Sequence, residues 1–162
     1  MKNDLRETAA ALVAVCAAKG LTVATAESCT GGLIGAALTA VPGASEIYPG
    51  GVVSYANEVK AELLGVKEST LSRFGAVSGE TALQMAEGAR ALLHSDLAVA
   101  VTGIAGPGGG SPGKPVGTVW VGVASPRGKR NLLLRLVGDR EQVRESTVLA
   151  ALTALREEAE RL

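Results

Sequence analysis

A continuous apolar run in the middle of the chain constrains the fold more than any other feature. Residues Leu97 to Val101 read Leu-Ala-Val-Ala-Val, so neither face of this segment carries a polar side chain. Successive side chains of a strand point to opposite faces of its sheet, and a strand that is apolar throughout is typical of a sheet covered on both sides. The run therefore predicts a central strand with helices packed against both faces.

Helical and strand patterns alternate before this run, and a hairpin follows it. The predicted helices cover Asp4 to Lys19, Leu33 to Val41, Asn57 to Leu64, Ser69 or Thr70 to Phe74, Ser78 through Leu92, and the stretch after Asp139 to about Leu162. The predicted strands cover Thr22 to Ala26, Gly51 to Tyr55, Leu97 to Val101, Val116 to Ser125 and Asn131 to Val137. No linker is long enough to divide the chain, so these patterns predict one α/β domain over residues 1–162, built on a mixed, mostly parallel sheet.

Composition and charge argue against several classes of partner. The formal net charge is +0 and aromatic residues are only 2%, so neither a basic patch nor stacking platforms for nucleic acid are expected. No apolar run approaches the ~20 residues of a membrane span, and the charged start resembles no secretory leader. We therefore expect a cytoplasmic protein with reduced Cys16 and Cys29. His94 is the only histidine and no metal-ligand spacing is present, so neither a metal nor a cofactor is expected.

The loop from Glu27 to Gly32 (Glu-Ser-Cys-Thr-Gly-Gly) lies between a predicted strand and a predicted helix. Free amides and the dipole at a helix start favour an anion or a developing oxyanion, and the two glycines let a ligand approach the backbone. Cys29 is one candidate nucleophile, because a helix start lowers the pKa of a thiol, but it would need His94 as its base. A capped helix start without any ligand fits the pattern equally well.

A second candidate group follows the next predicted strand. Tyr55 ends that strand and Lys60 lies in the first turns of the helix after it, so the chain can fold both into one site. A partly desolvated lysine can act as a base, and with a serine hydroxyl it forms a Ser-Lys dyad that needs no histidine. Ser28 and Ser45 are the candidate serines, with Tyr55 orienting the hydroxyl or relaying its proton. The alternative interpretation is a solvated helix lysine beside a strand-end aromatic residue.

Two further features suggest contacts with a ligand. The stretch from Thr102 to Gly110 is rich in glycine and follows the buried strand, which indicates either close backbone contact with a ligand or a mobile connection. Arg140 and Arg144 lie four residues apart at the start of the last helix, where they can clamp a phosphate or form surface salt bridges.

Six motifs in this order resemble the CinA C-terminal domain family, and the resemblance covers nearly the whole chain. They are Ala26 to Gly32, Gly51 to Tyr55 with Asn57 to Lys60, Gly75 to Ser78, Thr102 to Pro107, Lys114 to Val119, and Gly138 to Arg140. The resemblance implies a three-layer α/β/α sandwich and a homo-oligomer, a dimer or higher. It also implies an amidohydrolase that converts nicotinamide mononucleotide and water to nicotinic acid mononucleotide and ammonia, in pyridine nucleotide salvage. Many members carry a further N-terminal domain, which is not expected here, so the pyrophosphatase activity of that domain is not carried over.

The resemblance further implies roles for individual residues in a serine-type site without metal. Tyr55 and Lys60 handle protons. Ser45 is the expected nucleophile, although Ala44 replaces a serine that the family carries before it. Ser28 and the amides after it are expected to polarise the carboxamide. The expected substrate contacts are Glu27, Thr30, Gly31, Gly32, Thr102, Gly103, Ala105, Gly106 and Arg140, with Arg140 near the phosphate.

Two other functions remain open from the sequence. The domain could be a catalytically silent nucleotide-binding module that serves a competence or DNA-damage response, which an assay of ammonia release would reveal. It could also be an amidase that depends on Cys29, which thiol alkylation would reveal.

Overall fold

A five-stranded mixed sheet forms the centre of the computed structural model, which describes residues 2–162. The strands are β1 (Val23–Glu27), β2 (Gly50–Val53), β3 (Leu97–Gly103), β4 (Thr118–Ser125) and β5 (Gly128–Arg135), in the spatial order β2-β1-β3-β4-β5. β1 pairs in parallel with β2 and β3, whereas β4 is antiparallel to both β3 and β5. Within the described residues only β4 runs against the other strands, so the predicted mixed, mostly parallel sheet is confirmed.

Helices cover both faces of the sheet. They are α1 (Lys2–Lys19), α2 (Leu33–Thr39), α3 (Asn57–Leu64), α4 (Glu68–Phe74), α5 (Gly79–Leu93) and α6 (Arg140–Glu160), with a short 3-10 turn at Ala44–Glu46 before β2. α1, α2 and α6 pack on one face, and α3, α4 and α5 pack on the other. The three-layer α/β/α sandwich is therefore confirmed. No helix within residues 2–162 combines the length and the apolarity needed to cross a membrane.

The central strand β3 shows how the two faces differ in their packing. Leu97 through Val101 are fully buried, as the apolar run predicts. Leu97, Val99 and Val101 pack with α1 and α6, whereas Ala98 and Ala100 pack with α5. The small alanine side chains allow α5 to approach the sheet closely, so a chain with 2% aromatic residues builds its core from small side chains.

The hairpin between β4 and β5 is tighter than the sequence predicts. Ser125 pairs with Gly128, so Pro126 and Arg127 alone form the turn, and β5 begins three residues before the predicted Asn131. Lys129 and Arg130 therefore lie in β5 rather than in the turn before it. They gain partners there, because the Lys129 amine lies 3.0 Å from the Glu87 carboxylate and Arg130 lies 3.6 Å from the carboxylate of Glu158.

Side chains cap two of the helices that lead into or away from the site. Ser78 accepts a backbone amide hydrogen bond at the start of α5, and Asp139 forms a capping box with Gln142 at the start of α6. Asn57 does not cap α3: it is the first helical residue, and Ala56 precedes it without a side-chain cap.

Candidate functional site

The carboxyl ends of the three parallel strands meet at one edge of the sheet and surround a small cavity. Ser28 follows β1, Tyr55 lies just beyond β2, and Thr102 and Gly103 end β3. Each of these four residues lines a cavity of about 190 Å³. Lys60, from the second turn of α3, completes the group. Sheets of this kind bind ligands at the carboxyl ends of their strands, so this cavity is the candidate site.

Lys60 is the most unusual residue of the cavity because its side chain is almost completely buried, with 1% exposed. Its Nζ lies 3.0 Å from the Ser28 hydroxyl oxygen, and it donates hydrogen bonds to the carbonyls of Ser54 at 2.7 Å and Tyr55 at 3.0 Å. Burial lowers the pKa of the amine below its ordinary value of 10.5, because the charged form loses hydration. The alternative of a solvated helix lysine is therefore wrong.

The three partners of Lys60 suit both protonation states of the amine. A neutral amine has two N–H donors and one lone pair, which match two carbonyls and one hydroxyl that donates its proton. A protonated amine has three donors, and the Ser28 oxygen can then accept the third hydrogen bond. A proton can thus move between Ser28 and Lys60 while every buried donor and acceptor keeps a partner.

The Glu27 carboxylate does not point into this cavity but binds the start of α2. It is buried, and it accepts hydrogen bonds from the Ile34 amide at 2.8 Å, the Gly35 amide at 3.0 Å and the Thr30 hydroxyl at 2.6 Å. This carboxylate therefore occupies the helix start that was expected to hold an anion or an oxyanion. The amides of Ile34 and Gly35 at the start of α2 already donate to Glu27, so the expectation that the start of α2 stabilises an oxyanion is corrected.

The two glycines of this loop shape the turn rather than line the cavity. Gly31 and Gly32 have φ of 60° and 108°, a left-handed conformation that other residues rarely adopt. Together with Thr30, which binds Glu27, they form the turn that brings the chain from β1 into α2. The expected contacts Glu27, Thr30, Gly31 and Gly32 therefore do not line the cavity.

The expected contacts after β3 are closer to the cavity. Thr102 is buried and donates its hydroxyl proton to the Ala76 carbonyl at 2.8 Å, which ties β3 to the segment before α5. Gly103 and Ala105 line the cavity directly, whereas Gly106 does not line it and accepts a hydrogen bond from Arg140 through its carbonyl.

Two arginines at the start of α6 hold the two loops. Arg140 lines the cavity and donates to the Gly106 carbonyl at 2.7 Å. Arg144 donates to the carbonyls of Cys29 at 3.1 Å and Thr30 at 3.2 Å. The alternative of surface salt bridges is not what the structure shows, because both guanidinium groups bind backbone carbonyls of the loops.

Tyr55 has its side chain at the rim of the cavity, with 66% of the residue exposed. Its backbone carbonyl is one of the two that hold the Lys60 amine. The two residues thus share one site, as expected, but the link between them is through the backbone.

Ser45 lies at the opposite edge of the sheet. It is exposed in the 3-10 turn that precedes β2, and the neighbouring Ile47 carbonyl accepts from the amide of Val23 at the start of β1. Ser28 and Lys60 lie beyond the far end of β1. The expected pairing of Ser45 with Lys60 is therefore wrong within one chain. Lys60 contacts Ser28 instead.

Cys29 lines the cavity but does not have the properties of a thiolate nucleophile. Burial raises the pKa of its thiol to about 11, the opposite of the lowering expected at a helix start. The only histidine, His94, ends α5 at the amino end of β3, whereas Cys29 follows the carboxyl end of β1. A Cys-His pair within one chain is therefore excluded.

Three cavity residues were not predicted from the sequence to belong to the site, namely Asn57, Ala76 and Val77. All three belong to motifs that carry the family resemblance, so their place in those motifs was the available signal.

Comparison with known proteins gives a consistent family. The CinA C-terminal domain model matches residues 5–159. A CinA-like protein from Geobacter metallireducens is 53% identical over 137 residues, which are 85% of this chain and 33% of that protein. The chain spans about a third of the length of the curated relatives it matches.

Solved structures agree with this match along nearly their whole length. The competence/damage inducible protein CihA from Agrobacterium tumefaciens has a TM-score of 0.92 at 47% identity, covering 94% of this chain and 93% of that one. A CinA superfamily protein from Klebsiella pneumoniae has a TM-score of 0.93 at 35% identity, covering 98% and 99%. With its sequence and its three-layer fold both matched, this chain belongs to the CinA C-terminal domain family.

Proposed function

We propose that this chain is an amidohydrolase that converts nicotinamide mononucleotide and water to nicotinic acid mononucleotide and ammonia. The observation that carries the proposal is the buried Lys60 amine, 3.0 Å from the Ser28 hydroxyl oxygen, with its pKa lowered by burial. Such a pair supplies a nucleophile and a base without a histidine. The substrate is the one that the family resemblance implies.

In the proposed first step, neutral Lys60 accepts the hydroxyl proton of Ser28, and the serine oxygen attacks the carboxamide carbon of the nicotinamide ring. The α2 amides are occupied by Glu27, so the protonated Lys60 beside Ser28 stabilises the oxyanion of the tetrahedral intermediate. The C–N bond then breaks, Lys60 returns its proton to the leaving nitrogen, and ammonia departs from an ester on Ser28.

The second step regenerates the serine. Water attacks the ester carbon while Lys60 accepts a proton from it, and the C–O bond to Ser28 breaks. The serine oxygen takes the proton back from Lys60, and nicotinic acid mononucleotide leaves. Tyr55, at the cavity rim, is proposed to assist proton transfer to the leaving group.

The size of the cavity suggests how the nucleotide would be placed. At about 190 Å³ the cavity is smaller than the roughly 300–1,000 Å³ of common ligand pockets. It would accept the carboxamide-bearing ring, while the ribose phosphate extends past Tyr55 toward solvent. Arg140 lines the cavity and would meet the phosphate with its guanidinium. The homo-oligomer and the cytoplasmic location belong to the same proposal.

The test is ammonia release from nicotinamide mononucleotide by the pure chain and by Lys60→Met. We expect turnover by the wild type and a loss of at least about 10²-fold in the variant, because a positioned base contributes about that much. Lys67→Met is the matched control, since Lys67 is exposed at the start of α4. Wild-type protein that is stabilised by the nucleotide but releases no ammonia would contradict the proposal and favour a silent binding module.

A further inference from the structure

A guanidinium behind the cavity wall holds the loop that carries Ser28. Arg144, in the second turn of α6, donates from Nε to the Cys29 carbonyl at 3.1 Å and from Nη2 to the Thr30 carbonyl at 3.2 Å. These carbonyls belong to the first and second residues after Ser28. One planar group thus fixes two consecutive peptide units next to the serine.

The rest of the loop has few other long-range restraints. The Ser28 amide donates to the Val101 carbonyl at 3.2 Å, and Glu27 holds the start of α2. Between these two points the chain passes through Gly31 and Gly32, both with positive φ. Local hydrogen bonds close this turn, from the Gly31 amide to the Ser28 carbonyl at 3.1 Å and from the Leu33 amide to the Thr30 carbonyl at 3.1 Å. Because glycines have the greatest backbone freedom, the contacts with Arg144 add a restraint from a second element where the chain is least restricted by its own side chains.

Arg144 fits closely against the glycine turn. A Cβ added at Gly31 would lie 3.4 Å from Nη2 of Arg144, in van der Waals contact with the guanidinium. The helix that carries Arg144 is 21 residues long, begins with a capping box and buries nine of its residues. Its first turn also carries Arg140, which binds Gly106 in the loop after β3. The start of α6 therefore holds both loops in position through these two arginines.

We propose that Arg144 is a positioning residue that keeps the Ser28 hydroxyl at the Lys60 amine by fixing the carbonyls of Cys29 and Thr30. The inference deepens the proposed function, because it assumes that Ser28 is the reacting group. Arg144→Lys would replace the planar bidentate fork with a compact ammonium on a flexible stem, which would fix the two carbonyls less firmly.

The test measures how fast Ser28 reacts with a fluorophosphonate, followed by intact mass and located by peptide mapping. In that reaction the serine oxygen forms a bond to phosphorus, fluoride leaves, and Lys60 takes the hydroxyl proton. Misplacement of a reacting group by about 1 Å costs up to about 10²-fold, so we expect Arg144→Ala to react about 10²-fold more slowly. Arg144→Lys is expected to be intermediate, and methylguanidinium is expected to restore part of the rate of Arg144→Ala.

The matched control is Arg156→Ala. Arg156 lies on the same helix and pairs with Glu160 at 3.4 Å, away from both loops. We expect this variant to react at close to the wild-type rate. A rate for Arg144→Ala within about twofold of the Arg156→Ala rate would overturn the proposal. A decrease that follows only the loss of folded protein, with no rescue by methylguanidinium, would overturn it as well.

Failure of this inference can be distinguished from failure of the proposed function. Labelling of Ser28 does not involve the nucleotide, so normal labelling without ammonia release contradicts only the substrate. If wild-type Ser28 is not labelled, crystal structures of the wild type and Arg144→Ala give the separation of Ser28 Oγ and Lys60 Nζ. We expect it to increase from 3.0 Å to beyond hydrogen-bond distance, about 3.5 Å; an unchanged contact overturns the proposal.

Discussion

At the scale of single residues, Glu27 shows how a buried charge can serve the site without touching a ligand. Both carboxylate oxygens accept hydrogen bonds from the loop and helix that follow it, from the Thr30 hydroxyl and the amides of Ile34 and Gly35. Ser28 is the next residue in the chain, so the direction of its side chain depends on how Glu27 is held.

The substitution Glu27→Gln tests this role. A glutamine presents an NH2 group where one oxygen now accepts, so a buried donor loses its partner. We expect a loss of about 1–3 kcal/mol in the free energy of unfolding, measured by denaturant titration. Glu46→Gln is the control, because Glu46 is exposed in the 3-10 turn, and an equal loss in both variants would contradict the role.

Cys29 belongs to a reactive residue type, but its burial beside the site keeps the thiol unreactive. Because burial raises the pKa of its thiol to about 11, almost no thiolate exists at neutral pH. We expect Cys29→Ala to keep ammonia release within about threefold of the wild type, since a small buried side chain is removed without loss of a catalytic group. A loss as large as that of Lys60→Met would restore the cysteine-dependent amidase as an explanation.

At the scale of secondary-structure elements, the position of α3 decides where Lys60 lies. α3 packs against α5, and a Cβ added at Gly88 of α5 would overlap with the backbone carbonyl of Leu64 at the end of α3. Glycine inside a helix ordinarily costs about 1 kcal/mol relative to alanine, so its place here has a packing reason.

Gly88→Ala is therefore expected to destabilise the chain although alanine favours helices. Overpacking of this kind costs about 1–3 kcal/mol, to be measured by thermal or denaturant unfolding. It should also lower ammonia release, because α3 must shift and carry Lys60 with it. Gly113→Ala is the control, since a Cβ there meets nothing within 4 Å. A more stable Gly88→Ala would contradict the packing argument.

The elements were predictable from sequence because their patterns are local. The apolar run at Leu97 and the capping residue Asp139 each indicate an element without knowledge of the rest of the chain. Ser28 and Lys60 were candidates because each follows a predicted strand, but their proximity depends on the parallel pairing of β1 with β2.

The remaining parts of the site depend on long-range geometry. Ser45 precedes β2, so it lies at the wrong edge once β1 and β2 pair, but the sequence does not show that pairing. The direction of the Glu27 carboxylate depends on the turn at Gly31 and Gly32, which spacing alone does not determine. The raised pKa of Cys29 follows from burial, which outweighs the effect of the helix start.

At the scale of the whole molecule, the burial of Lys60 links stability and activity to pH. The pKa of this amine is lower in the folded chain than its ordinary value of 10.5, so the unfolded chain binds one more proton between the two values. The free energy of unfolding therefore rises with pH between the two pKa values. At pH values below this window, the folded chain carries the full energetic cost of burying the charged amine.

The same titration predicts the pH dependence of turnover. Neutral Lys60 is the active form, so kcat/KM is expected to rise with pH and to reach a plateau at higher pH. The apparent pKa of this rise is expected to lie below 10.5. The rate is measured across the alkaline range, with unfolding monitored in parallel. A profile that falls with rising pH while the chain remains folded would contradict the assignment of Lys60 as base.

The comparison of Ser28→Ala with Ser45→Ala in ammonia release from nicotinamide mononucleotide tests the central claim most directly. Each variant removes one hydroxyl group, and the two positions lie at opposite edges of the sheet. We predict a loss of at least about 10³-fold for Ser28→Ala, because removal of a nucleophile can cost up to about 10⁶-fold, and turnover close to the wild type for Ser45→Ala. Full activity of Ser28→Ala, with activity lost in Ser45→Ala, would contradict the account.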